Sequence, residues 1–418
     1  MSKPVEDSMI RHLVEKYHTP LFIFSESVIR SQCQQLKAAI SYENKQIRYA
    51  CKALTLQEIL KIVLSEGINI DAVSINEVKR AQRAGFNTDQ ILYTGEGASP
   101  LVFEELLEKG ILINCSSIDQ LRLIGQLKPG SACSMRVNPG EGHGATNKTN
   151  TGGPSSKHGI YHDHIDEVKQ VIKKYDLKLI GVHSHIGSEA NLDHWLRIKN
   201  LTLDFAKQFD DIEFVDLGGG IPVVYRPTDK PMPLKEWGER LTESFTQFSR
   251  EYGKDIQLQI EPGRFIAADS GVLVAEVQNL KHTPDYHFAI VNSGLNHNPR
   301  PAMYGSYHPI YFIGADGREM TGEREYVIGG NLCESGDVFT VEGDGTLAPR
   351  TFPLLQIGDL MVMGMVGAYT HSMKSEYNSM NLPASVLIDQ DGNPRLIERR
   401  GTIDDIMRRE VEAYQEGH

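Results

Sequence analysis

From about Gln46 to Glu261 the chain repeats one pattern, a short apolar run rich in Ile and Val followed by a polar–apolar segment at helical spacing. Such alternation folds around a parallel sheet, because a helix must carry the chain back before the next parallel strand can start. The candidate strands are Ile47–Cys51, Ile68–Ser74, Ile91–Thr94, Leu112–Ser116, Cys133–Asn138, Leu179–His185, Glu213–Leu217 and Leu258–Glu261, eight in all. Between them lie candidate helices such as Leu56–Ser65, Ile75–Ala84, Leu101–Lys109 and Ile118–Gln126, several stopped by a glycine (Gly67, Gly85, Gly110). Eight strand–helix units predict a closed (β/α)8 TIM-type barrel. The alternative is an open doubly wound sheet, which usually carries a glycine fingerprint after its first strand; Tyr49-Ala50-Cys51-Lys52 has none.

After about Ala267 the pattern changes to short alternating segments, among them Val272–Val277, His287–Val291, Arg324–Ile328, Asp337–Val341 and Ser385–Leu387, punctuated by Asp-Gly and Gly-Asp turns. This predicts a second, mostly antiparallel β domain. The strand-like Pro20–Ser25 precedes the barrel and is expected to pair into it. With 418 residues the chain has room for both cores. The expected division is a barrel over 30–270 and a β domain over 1–29 and 271–418.

A net charge of −12 speaks against nucleic acid as partner, since phosphate binding rests on a lysine and arginine surplus. No run approaches the roughly 20 apolar residues that cross a bilayer, and the opening residues lack the apolar core of a signal peptide, so a cytoplasmic location is expected. The five cysteines, Cys33, Cys51, Cys115, Cys133 and Cys333, are widely spaced without a Cys-x-x-Cys pair. Most are expected to be buried thiols, and no metal site is expected. A small soluble substrate fits this chain best.

Barrel active sites lie at the carboxyl ends of the strands, with phosphate commonly bound after the seventh and eighth. Lys52 stands at the end of strand one, His185 at the end of strand six, Gly218-Gly219-Gly220 after strand seven and Glu261-Pro-Gly-Arg264 after strand eight. Three glycines let a backbone approach an anion and present its amides, although a flexible turn reads the same way. Arg264 would add charge there. A partly buried lysine amine becomes nucleophilic, although most lysines are merely solvated. His185, with small neighbours, suits a ring lying flat on another ring; a packed core histidine is the bland alternative. Lys52, His185, Glu261 and a phosphate pocket together describe a pyridoxal 5'-phosphate site in which a carboxylate keeps the pyridine nitrogen protonated.

With these residues assembled, the chain resembles the fold-type III pyridoxal-phosphate decarboxylases, the family of ornithine, arginine and diaminopimelate decarboxylases. The likeness runs through Tyr49-Ala-Cys-Lys52-Ala, Arg136-Val-Asn-Pro-Gly, Lys157-His-Gly-Ile, His183-Ser-His-Ile-Gly-Ser188, Glu261-Pro-Gly-Arg-Phe265, Arg300-Pro-Ala-Met-Tyr304, Cys333-Glu-Ser-Gly-Asp337 and Gly367-Ala-Tyr369. The resemblance implies that Lys52 condenses with the cofactor aldehyde and His185 stacks on its ring. It implies that Ser188, Gly218, Gly219, Gly220, Gly263, Arg264 and Tyr369 surround the phosphate. It further implies a homodimer with shared active sites, Cys333 as proton donor, and Arg264, Arg300, Tyr304, Glu334 and Tyr369 as substrate contacts. As a bare residue Cys333 reads as an inert buried thiol. The implied reaction is decarboxylation of meso-diaminopimelate at its D-centre to give lysine.

Departures from the family pattern bear on substrate: Asn331 follows Gly330 where proline is usual, Met380 stands where arginine is usual, and Thr370-His371 replace smaller residues. The rival readings are decarboxylation of D-ornithine, D-lysine or carboxynorspermidine, an alanine-racemase-like isomerase, and a non-catalytic cofactor carrier. Retention of Arg300 and Tyr304 favours a substrate with a distal carboxylate, and the long C-terminal half disfavours a single-barrel carrier.

Overall fold

The computed structural model describes residues 3–142, 150–185, 187–188, 191–314 and 316–410. Both ends of the expected β domain (1–2 and 411–418) and Ile186 of the histidine motif lie outside the described residues. The chain divides into two compact units, one of Ile29–Val224 with Asp229–Ala267, the other of Met1–Val28, Tyr225–Thr228 and Ala268–His418.

The first strand, β1 (Leu21–Ser25), belongs to the second unit. The first unit is built on β2 (Lys45–Ala50), β3 (Asn69–Ala72), β4 (Ile91–Tyr93), β5 (Leu112–Cys115), β6 (Ala132–Asn138), the two-residue β7 (Ile160–Tyr161), β8 (Lys178–His183), β9 (Phe214–Asp216) and β10 (Gln257–Ile260). Parallel pairing runs β2–β3–β4–β5–β6–β8–β9–β10 and returns from β10 to β2, while β7 adds only to β6. The ring is closed. This is the eight-stranded parallel barrel that the repeats predict, and the open sheet is excluded.

The helices between strands begin and end as their sequences dictate. Ser74 accepts a hydrogen bond from the Glu77 N–H at the start of Ile75–Ala84, and Ser117 accepts from Gln120 at the start of Ile118–Leu127. Ile75–Ala84 stops at Gly85, whose φ of 106° admits glycine far more readily than a residue with a side chain.

The second unit holds one nine-stranded, mostly antiparallel sheet, made of β1 with β11 (Gly271–His282), β12 (His287–Val291), β13 (Ile310–Ile313), β14 (Arg324–Gly329), β15 (Arg350–Phe352), β16 (Leu360–Met363), β17 (Ala384–Ile388) and β18 (Pro394–Glu398). As the sequence suggests, β1 pairs into this sheet, antiparallel to β11 and parallel to β17. Its core gathers Ile10 and Leu13 of the helix Asp7–Tyr17 against Leu21, Ile23, Val272, Val274, Val362 and Val386. Each such side chain contributes about 1.5–3 kcal/mol on burial.

One expected strand is absent. Asp337–Val341 makes only isolated bridges, Gly329 to Val338 and Val341 to Leu347. Side chains have taken over ladder roles there: Thr340 Oγ1 accepts the Ile328 N–H at 3.0 Å, and the Asp337 carboxylate accepts from the backbones of Leu295 (2.6 Å) and Leu332 (2.8 Å).

Candidate active site

The barrel strands alternate apolar residues with polar ones that are nonetheless buried. In β6, Ser134, Arg136 and Asn138 interleave with Cys133, Met135 and Val137, and all six are buried. Direct pairing sets Arg136 beside His183, His183 beside Asp216 and Asp216 beside Gln259, so one row of polar side chains crosses four neighbouring strands. Neighbours in parallel register share a face. Asn114 of β5 reaches His183 of β8 across the interior, Nδ2 to Nδ1 at 2.7 Å. The polar face therefore lines the barrel.

Glu261 follows β10 directly and is 6% exposed. Its Oε2 lies 3.4 Å from His183 Nε2, and its Oε1 is buried without a hydrogen-bond partner among the described residues. Burial pushes this carboxyl well above its ordinary range; Asp216 and Asp71 push the same way, and Lys52 and Arg136 oppose them. Burial likewise raises Asp216 to about 7, against the pull of the Gly218 N–H and Arg48.

Lys52 lies just past β2, in the single 3-10 turn Cys51–Ala53. The sequence suggests a partly buried amine, but Lys52 is exposed while its neighbours Cys51 and Ala53 are buried. The side chain outgrows the apolar collar around its backbone. Its charge acts on Asp71, Glu261, His183 and His185 together, which places the amine over the polar row.

His185 stands two residues beyond the end of β8, the strand ending instead at His183. Burial drives both imidazoles well below the ordinary histidine range, reinforced by the positive charges of Arg136 and Lys52, so both rings are neutral near pH 7. Arg264, at the start of the one-turn helix Arg264–Ala267, acts on His185 in the same sense.

The triple glycine is used differently from the sequence reading. The Gly218 N–H donates to Asp216 Oδ1 at 2.7 Å, and the Gly219 N–H donates to His185 Nδ1 at 3.0 Å. Two of the three amides are thus spent inside the barrel, which leaves Gly220 as the one of the three that can turn to an anion. The need for glycine is steric. A Cβ on Gly219 would sit 2.5 Å from Glu261 O, and one on Gly218 would sit 2.7 Å from His185 Nδ1. Ser188 Oγ is buried with no hydrogen-bond partner among the described residues, and Gly263 is buried.

The remaining predicted residues belong to the β unit. Arg300 is 4% exposed; it donates to the Tyr225 hydroxyl at 2.9 Å and to Ser306 Oγ at 3.4 Å, and its guanidinium lies 5.3 Å from the Tyr225 ring centre. Tyr304 closes the short helix Arg300–Tyr304. Cys333 is exposed, unlike the other four cysteines, which corrects its reading as a buried thiol. The Cys333 N–H donates to Asn378 Oδ1 at 2.8 Å, and the Tyr377 hydroxyl lies 3.4 Å from Glu334 Oε2. Tyr369 holds a positive φ of 61°.

Sequence reasoning gave no role to Asp71, Asn114, Arg136, His183, Asp216 or Tyr225. The first five carried a signal, since each is a polar residue inside an apolar barrel strand. Tyr225 carried none.

The residues fit pyridoxal phosphate. Glu261 offers a buried, unpartnered carboxylate oxygen to a ring nitrogen, Ser188 offers a buried hydroxyl to a phosphate, and the glycines open the floor between them. A closed parallel barrel carrying these groups defines the barrel type of pyridoxal-dependent enzyme. The chain belongs to the pyridoxal-dependent decarboxylases: residues 26–268 match the family described as "Pyridoxal-dependent decarboxylase, pyridoxal binding domain". Diaminopimelate decarboxylase of Buchnera aphidicola subsp. Schizaphis graminum is 37% identical over 95% of this chain and 95% of that protein. A crystal structure of diaminopimelate decarboxylase superposes with TM-score 0.93 at 36% identity, covering 99% of this chain and 98% of the other. The Helicobacter pylori diaminopimelate decarboxylase, complexed with L-lysine, superposes with TM-score 0.85 at 27% identity over 98% of this chain and all of that one.

Proposed function

We propose that this chain decarboxylates meso-2,6-diaminopimelate at its D-configured centre, releasing carbon dioxide and L-lysine. The observation that carries this reading is the near full-length likeness to diaminopimelate decarboxylases on a barrel whose polar row fits the cofactor. Pyridoxal phosphate, when bound, supplies an electron-poor ring that takes up the electron pair left on carbon as carbon dioxide departs.

The chain's own residues do the rest. Lys52 would hold the cofactor through its aldehyde carbon, its amine being the nucleophile. His185, neutral and fixed by Gly219, would cover one ring face, and Glu261 would keep the ring nitrogen protonated. Ser188, Gly220, Gly263, Arg264 and Tyr369 would hold the phosphate, while Gly218 and Gly219, their amides taken by Asp216 and His185, keep the floor beneath it free of side chains. Cys333 delivers the proton that replaces carbon dioxide. Arg300 supports the choice of substrate: its guanidinium is buried against hydroxyls, a setting that favours a carboxylate from the ligand. Tyr304, Arg264 and Tyr369 share recognition of the substrate, and Glu334 accepts from the amino group at the reacting end. The protein acts as a homodimer in the cytoplasm.

Carbon dioxide release from meso-diaminopimelate, compared with D-lysine and D-ornithine, tests the reading. Turnover of diaminopimelate alone supports it, and turnover of only a substrate without the distal carboxylate overturns it.

A further inference from the structure

Glu261 does not stand alone. Its Oε2 is 3.4 Å from His183 Nε2, and neither that nitrogen nor Glu261 Oε1 has a full hydrogen bond. Behind His183 lies a chain of buried polar groups from three strands. Ser134 Oγ donates to Asn114 Oδ1 at 3.0 Å, and Asn114 Nδ2 donates to His183 Nδ1 at 2.7 Å. All three residues are at most 1% exposed.

The tautomer follows from the Asn114 end of this chain. A neutral imidazole carries one N–H. The Asn114 amide, oriented by Ser134, offers Nδ1 a donor, so Nδ1 must accept. At the other end Nε2 faces Glu261 Oε2 at 3.4 Å, and the one ring proton, excluded from Nδ1, falls there. The proton is on Nε2.

We propose that Asn114 and His183 are positioning residues for Glu261: the amide fixes His183 as the Nε2–H tautomer, and that N–H orients the carboxylate so that Oε1 faces the cofactor's ring nitrogen. This rests on the reading of Glu261 as the partner of that nitrogen. Two other acids face Glu261, Asp216 on β9 and Asp71 on β3, both raised by burial, and Asp216 can also donate to it when protonated. Arg48 on β2 binds Gln259 Oε1 at 2.8 Å, Arg136 on β6 binds Glu96 at 3.1 Å, and Lys52 serves the aldehyde, so none of these three cations is a neutral donor. Asp216 is fixed by the Gly218 N–H.

The test uses the holoprotein and two readouts besides turnover. In protein labelled with 15N-histidine, the His183 signals, assigned by their loss in His183→Gln, should show an unprotonated Nδ1 and a protonated Nε2. The second readout is the absorbance of bound cofactor against pH, together with cofactor affinity, in Asn114→Ala, His183→Leu and His183→Gln, with Glu261→Gln as reference. Asn114→Ala and His183→Leu should displace the absorbance midpoint in the direction of Glu261→Gln and weaken cofactor binding about tenfold, the size of one lost charge-assisted hydrogen bond. His183→Gln, whose amide can accept from Asn114 and donate to Glu261, should restore both. A protonated Nδ1 in the unsubstituted protein overturns the proposal without requiring any variant to fold. So do wild-type midpoints and affinity in Asn114→Ala and His183→Leu while Glu261→Gln is shifted, a result that leaves the function standing. If Glu261→Gln is itself unshifted, the reading of Glu261 falls and this proposal with it.

Discussion

Gly219 donates its backbone N–H to His185 Nδ1 at 3.0 Å, so the loop after β9 orients the imidazole that follows β8. The bond makes Nδ1 an acceptor and puts the ring's single proton on Nε2. It also explains why no side chain is tolerated here. In Gly219→Ala the new Cβ would press to 2.5 Å from Glu261 O, and in Gly218→Ala to 2.7 Å from His185 Nδ1, the latter also at a φ of +66°. Relief of such overlaps costs about 1–3 kcal/mol. Both variants are expected to bind pyridoxal phosphate at least tenfold more weakly, measured by equilibrium dialysis, while the equivalent change at the open Gly253 should be silent in cofactor binding.

Arg300 and Tyr225 predict a split in the kinetics. Tyr225→Phe removes the hydroxyl that accepts from Arg300 Nη1. The loss of one such bond to a charged group is about 1.5–3 kcal/mol. KM for meso-diaminopimelate should rise roughly tenfold or more on that basis with kcat little changed, because the distal carboxylate is bound alike in ground and transition states. Steady-state kinetics check this, and the cofactor absorbance should not move.

Cys333 predicts the opposite pattern. It is exposed, and its backbone is held by Asn378 Oδ1 at 2.8 Å. Removal of a proton donor costs about 10²–10⁴ in rate. Cys333→Ala should lose kcat on that scale with KM nearly unchanged, whereas Cys33→Ala, at a thiol that burial pushes up to about 12, should leave kcat alone.

Acid sensitivity of the β unit should run through Glu398. Burial raises its carboxyl, but the hydrogen bond from His371 and the charges of His371 and Lys374 outweigh burial and hold it at about 2, below the ordinary 4.5. The unfolded chain therefore binds more protons than the folded one between those values, so this stabilisation is complete above the upper value and is lost as pH falls through the lower. Urea unfolding should show Glu398→Gln less stable than the parent by about 2 kcal/mol near neutral pH. That difference should shrink steadily below about pH 4.

Much of this was legible in the sequence for a physical reason. Parallel barrel strands are buried on both sides, so runs such as Ile91–Tyr93 and Leu112–Cys115 stand out, and the helix stops at Gly67, Gly85 and Gly110 all hold positive φ. Residues at strand ends were legible because barrels place chemistry there. What escaped was decided by partners distant in the chain. Gly218 and Gly219 look like phosphate donors until Asp216 and His185 are seen to take their amides. Asp337–Val341 looks like a strand until Thr340 and Asp337 are seen to take its neighbours' hydrogen bonds. His183 was visible but overlooked beside His185, and its meaning appears only when Asn114 is found 2.7 Å away.

The most direct test of the account is where the cofactor is attached. The holoprotein is reduced with borohydride, digested and mapped by mass spectrometry. The account predicts a pyridoxyl-phosphate adduct on the peptide containing Lys52, and no adduct or bound colour from the aldehyde in Lys52→Ala. An adduct confined to another lysine, or a protein that remains colourless with pyridoxal phosphate, would contradict it.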